Sequence, residues 1–322
     1  MTDLHIQLEV KEAPMRVDLA LLDALQKKQS PVSRAFLKTL FHEKLVLYRK
    51  QPIKAAHLLQ PGMHEILILN WSPETTAYAL AKATPRPEGC SLEIIYEDED
   101  LLVLNKPSGT PSVPHSSSET HTAVNSALAH FPGLAEIGRK GLEPGILHRL
   151  DTGTSGLLAF AKTQPTFETL NTAWQDRRIK KCYRAIIEIQ PGNPPPQIPL
   201  TIQLALAHDA RSAKRMLAPE SKKFKIDYRG QLIPAISHLT LVIPLTNNLA
   251  DVEIEIETGV MHQIRCHLSS MGWPILGDPL YRGQPAERLY LHAWKLELPH
   301  PKQNKILSLI APLPEGWPHP SN

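Results

Sequence analysis

An alternating segment near the C-terminal third of the chain, residues 251 to 258, most constrains the fold. In Asp251 to Thr258, valine and isoleucine alternate with glutamate at every second position. A period of two places the apolar side chains on one face of a strand and the charged side chains on the other. A strand with one buried and one wet face is typical of an antiparallel sheet that is covered on one side.

Other segments share this strand-like character, and they outnumber the helical candidates. The strand candidates are Cys182 to Ile189, Ile198 to Leu206, Ser237 to Pro244, and an apolar hairpin from Leu92 to Lys106. Helical spacing is clearest in Thr120 to His130 and Pro165 to Asp176. Antiparallel strands with a few helices predict an α+β fold, built on a largely antiparallel, mixed β-sheet, rather than a doubly wound sheet.

The N-terminal quarter predicts a separate small module. Helical spacing begins at Val17 and ends at Ser30-Pro31, and Ser33 is placed to cap a second helix from Arg34 to Phe41. Apolar alternation then continues to Leu69. We therefore predict a tail over residues 1–13, an α/β module over 14–75, a linker over 76–90 that contains a Pro/Gly-rich stretch, and a large domain over 91–322.

Composition excludes several classes of protein. No apolar run is long enough to span a bilayer and the first residues lack the plan of a signal peptide, so we expect a cytoplasmic protein without membrane contact. The three cysteines show no Cys-x-x-Cys spacing, and the histidines match no zinc pattern. The net charge is only +3, but residues 14–75 hold nine Lys/Arg against five Asp/Glu, and residues 208–230 hold seven against three. Such local excesses attract phosphates over a Debye length of roughly 10 Å.

The richest motif is the unbroken stretch from Gly145 to Lys162, which sets Asp151 between an arginine and a glycine-rich turn. Its inner part, Asp151-Thr-Gly-Thr-Ser-Gly156, is similar to the active-site loop of an aspartic protease. Such a protease needs two carboxylates that share a proton, and a monomeric one would carry a second Asp-Thr/Ser-Gly. The chain contains no second copy, which disfavours a protease. Gly153 and Gly156 instead permit a tight turn that exposes Asp151.

Read at full length, His148-Arg-Leu-Asp-Thr-Gly-Thr-Ser-Gly resembles the catalytic motif of the RluA-type RNA pseudouridine synthases. Further blocks of that family's pattern follow in order: Leu104-Asn-Lys-Pro-Ser-Gly109, Lys181-Cys-Tyr-Arg-Ala185, His262-Gln-Ile-Arg-Cys-His-Leu268, Gly272 to Tyr281, and Leu291-His-Ala293. They extend over roughly residues 92 to 300. One departure is Val260-Met261, where the family usually has Arg-Thr, so a positive charge and a hydroxyl are lost near a loop.

The resemblance implies roles for individual side chains. Asp151 is the essential carboxylate under the sugar, Arg265 is its cationic partner, and Tyr183 is an aromatic platform whose hydroxyl helps remove the C5 proton. Arg149 enters the space left by the flipped base. Ile264 and Leu268 form an apolar wall, and the remaining candidates for substrate contact are Lys106, His148, Leu150 and His262. No metal and no cofactor are implied.

The N-terminal module resembles a degenerate S4-type RNA-binding domain, through Arg16, Ser33-Arg34 and Gly62-Met-His-Glu-Ile66. The usual glycine and Asn-Gly of that pattern are replaced by Lys44 and by Arg49-Lys50. The whole chain is thus predicted to be a monomeric pseudouridine synthase acting on structured RNA, with ribosomal RNA favoured and transfer RNA as the other possibility. The alternative is a catalytically inactive RNA-binding or ribosome-assembly factor. The altered Val260-Met261 and the eroded S4 pattern favour this alternative.

Overall fold

The computed structural model describes residues 2–27, 34–71, 85–89, 92–116, 118–139, 141–221 and 227–320. These divide into two compact units. The first comprises residues 1–89, 113–120 and 124–145, and the second comprises 90–112, 121–123 and 146–322. Ser33, Cys90, most of the predicted linker and the lysines at 222–225 lie outside the described residues. None of the described helices combines the length and apolar character that a bilayer crossing requires.

The first unit contains two helices beside a small antiparallel sheet. Its strands and helices are β1 (Thr2–Val10), β2 (Met15–Arg16), α1 (Val17–Lys27), α2 (Arg34–His42), β3 (Val46–Tyr48), β4 (Gln51–Pro52), β5 (Leu58–Leu59) and β6 (Gly62–Trp71). The sheet has the order β1-β6-β3-β4, and β2 pairs with β5. Val17, Leu21 and Leu25 of α1 are fully buried, as their helical spacing predicts.

Two features of this unit differ from or refine the sequence analysis. Residues 2–10, expected to be a tail, form a strand along β6, because Ile6, Leu8 and Val10 point into the core shared with α1. Lys44, Arg49 and Lys50 all have positive φ, the left-handed conformation that favours glycine and Asn-Gly. Arg16 is tied to Asp18 through two hydrogen bonds of 3.0 and 2.8 Å.

Residues 124–145 belong to the first unit rather than to the large domain predicted over 91–322. Helix α3 (Ala123–His130) and a short 3-10 turn (Pro132–Glu136) lie here. The reason is contact with the segment at 85–89: Asn125 Nδ2 donates to the carbonyl of Arg86 at 2.7 Å, and Gly89 packs directly on Ser126.

The second unit is built on a nine-stranded sheet, ordered β11-β15-β16-β10-β17-β9-β8-β7 with β18 also pairing with β17. The bounds are β7 (Glu93–Glu97), β8 (Leu101–Lys106), β9 (Ser155–Ala161), β10 (Lys180–Glu188), β11 (Leu200–Gln203), β15 (Ile236–Pro244), β16 (Leu249–Ile256), β17 (Leu291–Pro299) and β18 (Ile306–Ile310). Only the β9–β17 pair among these described neighbours is parallel. The predicted α+β class with a largely antiparallel, mixed sheet is therefore confirmed.

Smaller elements complete the second unit. They are α4 (Gln164–Gln175), a side sheet of β12 (Leu206–Asp209), β13 (Met216–Leu217) and β14 (Tyr228–Ile233), helix α5 (Gln263–Ser270), and 3-10 turns at Pro219–Ser221 and Pro279–Tyr281. Thr163 caps α4 by accepting from the Thr166 N–H at 3.3 Å, with proline in the first turn. Helix α5 was not among the predicted helices, and it carries Arg265.

Candidate active site

Three side chains from distant parts of the sequence line one small pocket of about 80 Å³ in the second unit. They are Asp151, from the turn before β9, Tyr183, from β10, and Arg265, from α5. Strand β17 lies between β9 and β10, and His292 of β17 is in register with both Ser155 and Arg184. The pairing of these strands is what brings the three side chains together.

Hydrogen bonds to its backbone carbonyls fix the turn that carries Asp151. Ser112 Oγ donates to the Leu150 carbonyl at 2.7 Å and accepts from the Leu150 N–H at 2.9 Å. Thr154 N–H donates to the Asp151 carbonyl at 3.0 Å. Ser108 Oγ donates to the Gly153 carbonyl at 2.7 Å, so the loop after β8 fixes this turn from outside.

Lys106 belongs to that same support. Its ammonium is fully buried and donates to the carbonyls of Pro107, Thr110 and Thr152 at 3.0, 2.7 and 3.3 Å. Burial lowers the pKa of Lys106 to about 7, against the opposing charge of Asp151. Lys106, predicted to contact substrate, does not line the pocket of Asp151, and its three donors point to backbone carbonyls.

Arg265 joins two carboxylates. Its Nη1 donates to Asp151 Oδ2 at 3.0 Å, while Nε and Nη2 donate to the two oxygens of Asp278 at 2.7 and 2.8 Å. Asp278 is 1 % exposed, so the bidentate pair is buried. Burial opposes the charge of Arg265, but hydrogen bonding to Asp278 and the two negative charges outweigh it and raise its pKa. Asp278 lies in the Gly-Asp-Pro-Leu-Tyr block, to which the sequence analysis assigned no role.

His262 is the second partner of Asp151. It has a left-handed backbone (φ 54°) just before α5, and its Nε2 lies 3.6 Å from Asp151 Oδ2. Its Nδ1 lies 3.1 Å from the hydroxyl of Tyr281, whose oxygen already accepts from the Met216 N–H at 2.8 Å. One arrangement that satisfies every contact has the Tyr281 hydroxyl donating to Nδ1 and the Nε2–H directed to Asp151. Burial lowers the pKa of His262, so the ring is neutral near pH 7.

Tyr183 forms the pocket wall opposite α5 and is 8 % exposed. Burial, and then the charge of Asp151, raise its pKa far above the usual value, so the phenol keeps its proton at neutral pH. Within the described chain, no hydrogen bond engages its hydroxyl. The hydroxyl is therefore available to a bound base.

Arg149, Leu150 and Ile264 also line the pocket, with Arg149 exposed and the other two buried. Val260 lines it as well, while Met261 is 38 % exposed. The two residues that replace the family's Arg-Thr thus differ in role: the first gives the pocket an apolar wall, and the second faces solvent.

Two further candidates lie outside the pocket. His148 stacks on Trp174 with ring centroids 4.6 Å apart, and its Nε2 accepts from the Ala159 N–H at 3.2 Å, so it supports β9 rather than substrate. Burial lowers its pKa to about 3. Leu268 is 1 % exposed in the core of the unit and does not form the predicted wall with Ile264.

One grouping of metal-ligand types occurs among the described residues, at Asp98, Asp100 and His300, whose ligand atoms lie within 4.8 Å of one another. The ligand atoms of this group are already engaged in hydrogen bonds and ion pairs. Asp98 accepts from Tyr96 and pairs with His300 at 2.9 Å, and Lys302 pairs with Asp100 at 2.7 Å. The arrangement is that of a structural hydrogen-bond network around the two carboxylates.

Comparison with known proteins identifies the family of this chain. The family model for RNA pseudouridylate synthase matches residues 100–270. Ribosomal large subunit pseudouridine synthase D of Neisseria meningitidis serogroup A is 31% identical over 95% of this chain and 79% of its own length, and the protein of the same name from Zymomonas mobilis is 37% identical over 71% of each.

Solved structures give the same fold. Human RNA pseudouridylate synthase domain containing 1 has a TM-score of 0.54 at 23% identity and covers 69% of this chain and 83% of its own. Human RNA pseudouridylate synthase domain containing 4 has a TM-score of 0.53 at 24% identity, over 69% and 89%. The relatives named as synthases disfavour the alternative of an inactive binding factor. With a family match over more than half of its residues, the chain belongs to the RNA pseudouridylate synthase family and is an RNA pseudouridine synthase.

Proposed function

We propose that this enzyme isomerises specific uridines of ribosomal RNA in the large subunit, with Asp151 as the essential residue. The observation that carries the assignment of the site is the Asp151–Arg265 pair, 3.0 Å apart in a pocket that Tyr183 also lines. The choice of ribosomal RNA is supported by the names of the relatives from Neisseria and Zymomonas. In this proposal the enzyme works as a cytoplasmic monomer without metal or cofactor.

The reaction breaks the bond between ribose C1′ and uracil N1 and forms a bond between C1′ and C5. N1 gains a proton and C5 loses one, so the isomerisation is balanced without another reactant. Asp151 acts on the ribose. Attack at C1′ and removal of the C2′ proton both require an ionised carboxylate, and Arg265 supplies the positive charge beside it.

The detached uracil has to stay in place while it turns. The buried ring of Tyr183 offers it a stacking surface, and Ile264 and Val260 offer apolar walls. The hydroxyl of Tyr183 faces the base without a competing hydrogen bond among the described residues. Because the phenol is neutral, it takes up the C5 proton only as it passes its own proton on, and uracil N1, which gains one proton in the reaction, is the final acceptor of this relay.

Access to the pocket requires that the uridine leave its stack. Arg149 is exposed at the pocket and supplies a guanidinium that stacks on neighbouring bases or binds phosphate. The S4-like module adds further RNA contact through its excess of four positive charges over residues 14–75.

The experiment is a map of pseudouridine in total RNA from cells that contain the gene, cells that lack it, and cells with Asp151→Ala. We expect one or more sites in large-subunit ribosomal RNA to depend on the gene and on Asp151. Asp176→Ala, at an exposed carboxylate outside the pocket, serves as the matched control and should keep those sites. Sites that change only in transfer RNA would overturn the proposed substrate, and maps identical in all three strains would overturn the proposed function. Sites that depend on the gene but survive Asp151→Ala would overturn the role of Asp151.

A further inference from the structure

A second cavity in the same unit has no assigned role. Its volume is about 330 Å³, and it shares no lining residue with the pocket of Asp151. Polar groups that line it include Asn105 and Lys106 at the end of β8, Ser108 in the following loop, Ser155 at the start of β9, and Arg288 before β17. Both cationic side chains of the lining lie near the turn that carries Asp151.

Arg288 is half-buried and lacks a counter-ion. Its Nη2 donates to Ser155 Oγ at 2.5 Å, but no carboxylate of the described chain lies within ion-pair distance. Its Nε is buried with no hydrogen-bond partner in that part of the chain. A guanidinium withdrawn from water without a negative partner is costly, and a bound anion removes that cost.

Lys106 adds a second positive charge to this cavity. Its three donors are used by carbonyls, so it contributes its field rather than a hydrogen bond. The two cations repel each other, since Arg288 opposes the protonation of Lys106. An anion between them would relieve this repulsion and favour the ammonium that holds the Thr152 carbonyl.

The lining carboxylate, Glu93, is exposed, and Asn105 Nδ2 holds its Oε2 at 2.8 Å. The negative charge of Glu93 weakens the attraction of the cavity for anions, and Glu93 forms no ion pair with Arg288 among the described contacts. It also provides a test residue, because its charge opposes the proposed ligand while its side chain is accessible.

We propose that this cavity binds a phosphate group through Arg288, and that the bound phosphate supports the Asp151 turn through Lys106. A guanidinium matches the oxygens of phosphate in pairs, and the second Nδ2 hydrogen of Asn105 offers a further donor. The phosphate is a phosphodiester of the RNA substrate or a free phosphate ion. The RNA source rests on the proposed function, whereas binding of phosphate itself does not.

The first arm of the experiment is calorimetric titration of the full chain with inorganic phosphate at constant ionic strength. Arg288→Gln keeps a donor near Ser155 but loses the charge, and Lys305→Gln is the control at an exposed lysine of the same unit. We expect the wild type and Lys305→Gln to bind phosphate with the same affinity. Arg288→Gln should bind phosphate at least about tenfold more weakly. Equal binding by all three, or none by the wild type, overturns the proposal.

The second arm identifies the source. The affinity for a folded fragment of large-subunit ribosomal RNA that contains the target uridine is measured over a range of salt. A phosphodiester contact at Arg288 makes the slope of log K against log salt smaller by about 0.7 to 0.9 in Arg288→Gln. An unchanged slope together with phosphate binding assigns the cavity to a free ion.

Glu93→Gln covers the case in which Arg288→Gln does not fold. Loss of the carboxylate at the cavity should tighten phosphate binding several-fold, and unchanged affinity counts against the site. Pseudouridine formation by the wild type is assayed on the same RNA. Its absence would refute the proposed function while leaving the phosphate titration valid.

Discussion

Arg265 Nη1 and Asp151 Oδ2 lie 3.0 Å apart although 114 positions separate the two residues. The contact depends on a third residue, Asp278, which takes the other two nitrogen positions of the guanidinium. With Nε and Nη2 fixed, Nη1 has one direction left, toward Asp151. We interpret Asp278 as a positioning residue for the catalytic pair.

Asp278→Asn should therefore lower kcat by about 100-fold, because the guanidinium is no longer held in one orientation. It should also lower the free energy of unfolding by about 3 kcal/mol, since a buried charge pair is broken. Pseudouridine formation and urea unfolding measure the two effects. Asp176→Asn, which loses an exposed pair with Arg178, is the control and should change stability by less than about 1 kcal/mol. Wild-type turnover by a folded Asp278→Asn protein would refute the positioning role.

Tyr183→Phe separates the ring from the hydroxyl. The ring continues to stack on uracil, so the affinity for RNA should stay the same. Stability should also hold, because no described residue bonds the hydroxyl. Loss of the proton relay at C5 should lower kcat by about 100-fold or more, measured as release of tritium from C5 of labelled RNA. Undiminished release would mean that the ring alone carries the function of Tyr183.

Gly156→Ala should prevent stable folding. A Cβ at this position would lie 2.2 Å from the carbonyl oxygen of Ala293 on β17, and φ is +110°. We expect a loss of at least about 4 kcal/mol in urea unfolding followed by circular dichroism. Gly153→Ala is the matched comparison, since its Cβ would meet only the side chain of Leu289 at 3.2 Å, and should cost about 1 kcal/mol. Similar losses at both positions would contradict this account of the β9–β17 contact.

The free energy of unfolding should decrease as the pH is lowered below about 6.5, in part because of His292. Burial, and then the charge of Arg288, lower its pKa to about 4, while the unfolded chain titrates near 6.5. Between these values the unfolded state binds the proton and the folded state does not, so this residue lowers stability by about 1.4 kcal/mol for each pH unit. His292→Gln should reduce the slope in this window and leave it unchanged above pH 7. Identical slopes would show that His292 does not contribute.

Much of the sheet could be predicted from the sequence, because the alternation of Val252, Ile254 and Ile256 requires one buried face whatever the partner strand is. Residues 4–10 show the same alternation, but the strand that they pair with, β6, lies more than fifty positions later in the sequence. The prediction of a tail over residues 1–13 was wrong for residues 2–10, because the partner that stabilises this strand is not visible in the local sequence.

Helix α5 was missed for another reason. Its buried face includes Gln263 and His267, polar residues that sequence patterns assign to the surface. Their partners come from elsewhere in the chain: Gln263 bonds the Ile236 carbonyl at 2.8 Å, and His267 bonds Ser237 Oγ at 2.9 Å. Lys106, His148 and Leu268 were assigned to the substrate through the family resemblance, which does not indicate their contacts within the protein. Those contacts are backbone carbonyls for Lys106, Trp174 for His148 and the core for Leu268.

Strand β17 joins the two halves of the large sheet, because β9 and β10 pair with it and not with each other. The turn of Asp151 and the platform of Tyr183 are thus assembled only when residues 291–299 are in place. A nascent chain that extends only to the end of α5 already contains Asp151, Tyr183 and Arg265, yet it lacks the strand that brings β9 and β10 together. Assembly of the site therefore waits for residues 291–299, even though the three side chains themselves precede that strand in the sequence.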